Sequence, residues 1–351
     1  MTRSNLNAPA TAAAEKSLPQ NRHFFLFRNE GFGEAKAEDD YLHPLANAAV
    51  ADDSVTETQF FAIECAEHAI HGQGYLWHHP RLGVVSGGIW LWQGFKSHVL
   101  ACEMYNYNTY MHDRSLDNDL HRYRLENGYG VEVLEPLRRH RLTYTDQSRK
   151  NSVDIEYSAI AAPIMWGDGK HFEQTMHGRG VLQLQGREYD LDFYTVRDRS
   201  WGKPRPEHLL NLAPVGWMTC VFGEDFYFNC NGLDDPELMP EWKGLFSEPK
   251  WKELNSGWIV RNGEVRLITH CRKRTERDPR TLFPKRIELE LVDSRGDEYR
   301  INGKATACSD REYVPTARFV NCQLRWEWEG REATGEEQEA QWSDFVAAFM
   351  R

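Results

Sequence analysis

Apolar and polar residues alternate with period two along most of the chain. Val153, Ile155 and Tyr157 interleave with Asp154, Glu156 and Ser158, and Ile287, Leu289 and Leu291 with Glu288 and Glu290. The longest case sets Val320, Cys322, Leu324, Trp326 and Trp328 against Asn321, Gln323, Arg325 and Glu327. Successive strand side chains point to opposite faces, so these runs predict strands with one buried face. The Gly, Asn, Asp and Pro residues between them predict the turns of antiparallel sheet. Asn262-Gly263, set between two alternating runs, predicts a two-residue type I′ hairpin, because both residues tolerate positive φ. Helical spacing is convincing at the end of the chain, where Trp342, Phe345, Val346 and Phe349 predict a helix over Ser343 to Met350.

At 351 residues the chain exceeds the usual single-domain size, and two units are expected. A short internal similarity agrees: Gly186-Arg-Glu-Tyr189-Asp-Leu191 resembles Gly296-Asp-Glu-Tyr299-Arg-Ile301, each a hairpin turn entering a strand. The stretch Gly202-Lys203-Pro204-Arg205-Pro206 is the expected hinge, since proline cannot donate to a ladder. The predicted organisation is a mobile N-terminus over residues 1–20, one antiparallel β-barrel over 21–202, and a second over 203–351 that ends in the short helix. The fold class is all-β.

Twelve tryptophans and an aromatic share of 12% suit apolar cavities. A formal charge of −11 opposes a polyanionic partner, so nucleic acid is not expected. The seven cysteines are dispersed without a CxxC pair, which predicts reduced packing residues and no zinc or redox site. Nothing approaches the roughly 18 continuous apolar residues of a membrane-spanning helix, and Met1 to Gln20 lacks the apolar core of a signal peptide. A cytoplasmic protein without a membrane span is the expectation, with homodimer formation left open.

The most informative segment runs from Tyr189 to Gly202. Alternation places Tyr189, Leu191, Phe193 and Thr195 on one face, and continuing it adds Arg197, Arg199 and Trp201. Guanidiniums that share a face with core aromatics need carboxylates, carbonyls, stacking or a polar ligand. Asp198 lies on the opposite face unless a bulge re-aims it. A structural arginine–aspartate network pinning the two barrels together is the competing explanation. Arg197-Asp198-Arg199-Ser200-Trp201-Gly202, with Arg205 beyond, resembles the Arg-Asp-His-Ser-Trp-Gly-x-Arg signature of bacterial proteins in the AttH-like and hydroxyneurosporene-synthase-like superfamily, which includes carotenoid 1,2-hydratases. The resemblance implies tandem lipocalin-like barrels and places Asp198 and Trp201 beside a ligand cavity. The signature histidine is Arg199 here, and an arginine cannot deliver a proton near neutral pH.

A second candidate is the polar-aromatic run Cys102 to Asn108, continuing to Tyr110, His112 and Asp113. Glu103, Tyr105 and Tyr107 share a face and offer an acid and two phenols, although tyrosines in a barrel wall often do no more than pack. Trp90, Trp92 and His112 join Tyr105 and Tyr107 as candidate substrate contacts. Glu64, His68, His71, His78 and His79 match no metal-binding spacing and are read as solvated histidines of a loop-rich segment. Glu173 and His177 are read as a solvated strand edge. The run Gly335 to Glu339 is read as the acidic start of the final helix.

No phosphate loop, nucleophile elbow or Cys/His pairing is present. Together these features predict a lyase or isomerase that needs neither cofactor nor metal and adds or removes water, or moves a double bond, on a hydrophobic terpenoid- or steroid-like small molecule. The expected catalytic residues are Asp198, Arg197, Arg199 and Glu103, and the expected substrate contacts are Trp201, Tyr105, Tyr107, His112, Trp90 and Trp92. The alternative is a non-catalytic binding protein for an apolar ligand.

Overall fold

A computed structural model describes residues 31–44, 55–204, 214–235, 237–240, 256–314 and 317–349. The N-terminus expected to be mobile, residues 1–20, lies outside the described residues, as does Arg205. The first sheet contains β1 (Phe32–Gly33), β2 (Val55–Cys65), β3 (Ile70–His79), β4 (Val84–Gln93), β5 (Met104–His112), β6 (Arg122–Arg124), β7 (Gly130–Glu135), β8 (Arg139–Asp146), β9 (Asn151–Ala159), β10 (Ile164–Trp166), β11 (His171–Leu184) and β12 (Arg187–Pro204). The second contains β13 (Val215–Gly223), β14 (Phe226–Leu233), β15 (Ser256–Arg261), β16 (Glu264–Arg277), β17 (Pro284–Asp293), β18 (Glu298–Val314), β19 (Ala317–Trp328) and β20 (Arg331–Trp342), followed by helix α1 (Ser343–Phe349).

The all-β architecture is what the alternation predicts, and the short C-terminal helix is what the helical spacing of Trp342 to Phe349 predicts. The units differ in closure. The second is a closed eight-stranded barrel in chain order, with β20 returning to β13. The first is a half-barrel of order β5-β4-β3-β2-β12-β11-β9-β8-β7-β6, with β1 and β10 at the side of β11. Its end strands do not pair, and β6 has three residues. The chain between them fills the opening, with Leu116 and Leu120 in the core. Asn127, in the β6–β7 turn, donates to the carbonyls of Gly87 (2.8 Å) and Asn106 (3.1 Å), so a side-chain amide stands in for part of the missing ladder.

Local chemistry sets the details. Asn262 and Gly263 take φ of 51° and 79° and join β15 to β16 in the two-residue hairpin expected. Phe345 of α1 packs with Met239 and Leu282. The two similar segments do open hairpins into β12 and β18, but β12 is the last strand of its sheet in sequence whereas β18 is followed by two more barrel strands. Cys308 and Cys322 correct the expectation of wholly reduced cysteines. They face each other across β18 and β19 with Cα atoms 4.3 Å apart and form a disulfide.

Each interior is packed with its own side chains. Phe61, Ile63, Leu76, Ile89, Leu91, Leu142, Ile155 and Tyr157 fill the first, and Met218, Phe228, Ile259, Leu289, Leu324 and Trp326 the second. The opposite faces of the same strands meet at a seam between the units. There Trp166, Val196, Tyr227, Trp258 and Val260 form one apolar cluster, and Trp90, Trp92 and Ala307 another.

Candidate functional site

Arg197 and Arg199 point into the first unit, on the face the alternation assigns them, and both are fully buried. Arg197 donates from Nε (2.9 Å) and Nη2 (2.7 Å) to Gln174 Oε1 and from Nη1 to Asp40 Oδ1 (2.8 Å). Asp40 also accepts from the backbone of Leu137 and lies 3.1 Å from His140 Nε2. Arg199 donates to Glu57, to the carbonyl of Tyr41 (2.7 Å) and to that of Thr58 (3.2 Å). These bonds fasten the segment around Asp40 onto the half-barrel. Burial alone would raise the Asp40 carboxyl, but Arg197 and His140 hold it well below the usual carboxylate range. Burial pushes His140 down to about 4, with Arg197 adding to the effect. Glu57 is lowered as well, because Arg199 and His43 overcome the cost of its burial. Trp201 stacks on His43 with ring centroids 3.9 Å apart.

Asp198 projects from β12 to the opposite face, toward the seam. In the ladder it sits between Glu173 on β11 and Phe60 on β2. The structure therefore separates Asp198 from the two arginines beside it in sequence. It instead groups Asp198 with residues that the sequence reading left aside. Glu173 is fully buried in an interior strand, not at a solvated edge, and it accepts from the indoles of Trp166 (2.7 Å) and of Trp258 in the second unit (3.1 Å).

A polar cluster at the seam joins Glu64 on β2, His71 and Gln73 on β3, Gln323 on β19 and Glu336 on β20. All five are buried. His71 Nδ1 lies 2.8 Å from Glu64 Oε1, and His71 Nε2 lies 3.6 Å from Glu336 Oε2. Gln73 donates to Glu336 (3.4 Å), and Gln323 donates to Glu64 and to the carbonyl of Ile70 (2.9 Å). The His71 ring meets Trp92 edge-on at 4.9 Å. Burial, and next the neighbouring Glu64 carboxylate, push the Glu336 carboxyl well above its ordinary range. Glu64 and Glu336 border a narrow crevice that is also lined by Tyr194, Thr219, Val221 and Thr334.

These positions correct two readings. Glu64 and His71 are strand residues under the second unit, and not part of a solvated loop. Glu336, Glu337 and Glu339 lie in β20, with the helix starting at Ser343. Glu336 faces the seam, whereas Glu337 and Glu339 point into the barrel, where Lys273 Nζ lies 2.7 Å from Glu337 and 3.0 Å from Glu339, and Arg277 also pairs with Glu339. Burial, with the Glu339 charge beside it, takes Glu337 up to about 7 against the pull of Lys273. Arg277 and Lys273 outweigh burial and hold Glu339 down at about 2.

The second candidate segment divides. Trp90, Trp92, Tyr105 and Tyr107 do come together, on the seam face of β4 and β5 against Ala307. Arg311 of β18 lies over this group, its guanidinium carbon 4.6 Å from the Trp90 ring centroid and 5.1 Å from that of Tyr107. Glu103 sits apart, just before β5, paired with Lys96 and accepting from the backbone of Gln93 (3.0 Å). His112 is exposed and accepts from Arg114 N at the end of β5. Among the described residues no group of three or more His, Cys, Asp or Glu is arranged to hold a metal ion.

A half-barrel packed on a closed barrel is a fold with counterparts among solved structures. The fold is shared with a putative AttH protein from Nitrosomonas europaea (TM-score 0.51, 12% identity, 88% of this chain and 97% of that one). It is shared equally with kievitone hydratase from Nectria haematococca (TM-score 0.51, 9% identity, 92% of this chain and 99% of that one). The chain belongs to the family described as Domain of unknown function (DUF7064), which matches residues 36–343. No curated protein sequence matches it.

Proposed function

We propose that this protein is a lyase or isomerase of the hydratase type, needing no cofactor, that moves protons at the seam between its two units on a hydrophobic small molecule. The observation that carries this reading is the buried row Glu64–His71–Glu336, two carboxyls on either side of one imidazole, bordering a crevice. Hydration and double-bond migration need a proton donor and an acceptor in a site that excludes water. Glu336 supplies the donor, since a carboxyl raised well above its ordinary range keeps its proton. Glu64, through His71, is the acceptor. Asp198 stands on the same face as a second acidic group. In this reading Arg197 and Arg199 are positioning residues that hold the sheet carrying Asp198. One of the fold neighbours is by name a hydratase, which agrees with the reading.

The test is turnover of a panel of terpenoid and steroid alkenes, enones, alcohols and β-hydroxy ketones in deuterated water, read as mass shifts of the products. Deuterium incorporation that is lost in Glu336→Gln supports the assignment. Incorporation that persists in that variant, or its absence across the panel, leaves a non-catalytic binding protein as the better reading.

A further inference from the structure

The barrel face covered by the first unit presents side chains in rows fixed by strand register. One row runs Trp258, Asn229, Thr219, Glu336 and Gln323 across β15, β14, β13, β20 and β19. The next, two residues along, runs Asn231, Trp217, Gln338 and Asn321. Phe228 and Cys230 occupy the core, so Asn229 and Asn231 project toward the seam. Asn229, Asn231 and Asn321 are at most 2% exposed. Even so, both amide atoms of Asn229, the amide nitrogens of Asn231 and Asn321 and the indole nitrogen of Trp217 have no hydrogen-bond partner. Buried polar groups are almost always paired, so four unpaired N–H donors on one sheet face is a departure that asks for a reason.

We infer that Asn229, Asn231 and Trp217, neighbours on the adjacent strands β14 and β13, hold a carbonyl oxygen of the substrate, so that the seam site takes an α,β-unsaturated or β-hydroxy carbonyl compound on an apolar skeleton and not an isolated alkene. The inference rests on the proton-transfer reading above and adds the substrate class. The three N–H groups of Asn229, Asn231 and Trp217 stand against one free acceptor among these residues, Asn229 Oδ1, and so select an acceptor group on the ligand. Glu64, Glu173, Asp198 and Glu336 share the seam, which disfavours a carboxylate and leaves a neutral carbonyl. The apolar skeleton has its wall in Phe60, which meets Trp217 edge-on at 5.6 Å. Asn229 and Glu336 are both register partners of Thr219, so their backbones stand about 10 Å apart at ordinary strand spacing, on either side of the Thr219 that lines the crevice with Glu336.

The chemistry balances. The oxygen of water bonds to the β-carbon, and that water gives a proton to the His71–Glu64 pair. The π electrons of the double bond shift to the carbonyl oxygen, where the amide and indole N–H groups stabilise the enolate. Collapse of the enolate takes the Glu336 proton onto the α-carbon. Return of a proton from His71 Nε2 to Glu336 restores the site, and dehydration is the reverse.

The experiment is equilibrium dialysis of the full chain with chalcone, a conjugated aryl ketone, against 1,3-diphenylpropene, the same skeleton without the carbonyl. The expected result is chalcone bound at least tenfold more tightly, the preference falling to near unity in Asn229→Leu and Trp217→Phe. Equal binding, no binding of either probe, or a preference that survives in either folded variant overturns the inference. Trp217→Phe removes one N–H with little change of shape and stands as the test if Asn229→Leu does not fold. Glu336→Gln separates the two proposals: it keeps the carbonyl preference, and deuterium incorporation that survives in it strikes the proton-transfer reading alone.

Discussion

Asp40 and Glu57 lie inside the first unit against Arg197 and Arg199, whereas Glu336 lies equally deep at the seam against His71, Gln73 and another carboxylate. All are cut off from water. The guanidiniums drive the first two carboxyls toward their charged form, and burial beside a like charge drives the third toward its neutral form. A carboxylate already matched by arginine has its lone pairs engaged and its proton gone. A carboxyl kept neutral beside an imidazole retains a proton to give. The contrast assigns architecture to one region and chemistry to the other, and it is open to direct attack.

The largest effect is expected from Arg197→Met, which leaves the Asp40 carboxylate buried without its cation. Removing one partner of a buried pair costs about 3–5 kcal/mol, and urea denaturation should register a loss of that order. Glu336→Gln should come next in size and differ in kind, with turnover down on the order of 10²-fold or more, as for a lost general acid, and a near-normal urea midpoint. A stable Arg197→Met, or a Glu336→Gln that unfolds, would erase the distinction.

The pH dependence sharpens the same comparison, because the two shifts have opposite sign. Asp40 has a folded pKa below its unfolded one, so its stabilisation is present above the ordinary carboxylate range and is lost as pH falls through the lower value. Glu336 has a raised folded pKa, so its contribution is complete below the ordinary range and is lost as pH rises through the higher value. Urea midpoints measured from pH 4 to 8 should show Asp40→Asn furthest below wild type at the neutral end. Glu336→Gln should gain on wild type across the same range. Parallel curves for the two variants would contradict the assignment.

Much of the fold was legible because alternation reports one-sided burial directly. It gave the strands and the inward face of Arg197 and Arg199, while the Asn262-Gly263 pair gave the hairpin and the spacing of Trp342, Phe345, Val346 and Phe349 the C-terminal helix. The open edge of the first unit was not legible, since Asn127 and Leu120 replace strand pairing through contacts that carry no period. The Glu64–His71–Glu336 row was missed for a related reason. β20 is polar on both faces, one toward Lys273 and Arg277 inside the barrel and the other toward the first unit, so the acidic run looked solvated. Lys273 and Arg277 share a strand face with the apolar Cys271, and that was the available signal that buried acids had to exist somewhere to meet them.

The smallest effect is expected at Glu103, read from sequence as a catalytic acid on the face of Tyr105 and Tyr107. Its carboxylate pairs with Lys96 and accepts the Gln93 N–H, and both members of the pair are partly open to solvent, with side chains 17% and 22% exposed. Solvent screening leaves such pairs worth about 0–1 kcal/mol. Glu103→Gln keeps the shape and an acceptor for Gln93 while removing the charge, so a urea midpoint within that margin and turnover within about twofold are expected. A loss of turnover rivalling that of Glu336→Gln would move the chemistry from the Glu336 row toward the cluster of Trp90, Tyr105 and Tyr107. Arg311, whose guanidinium lies over those rings, would then be the first residue to substitute.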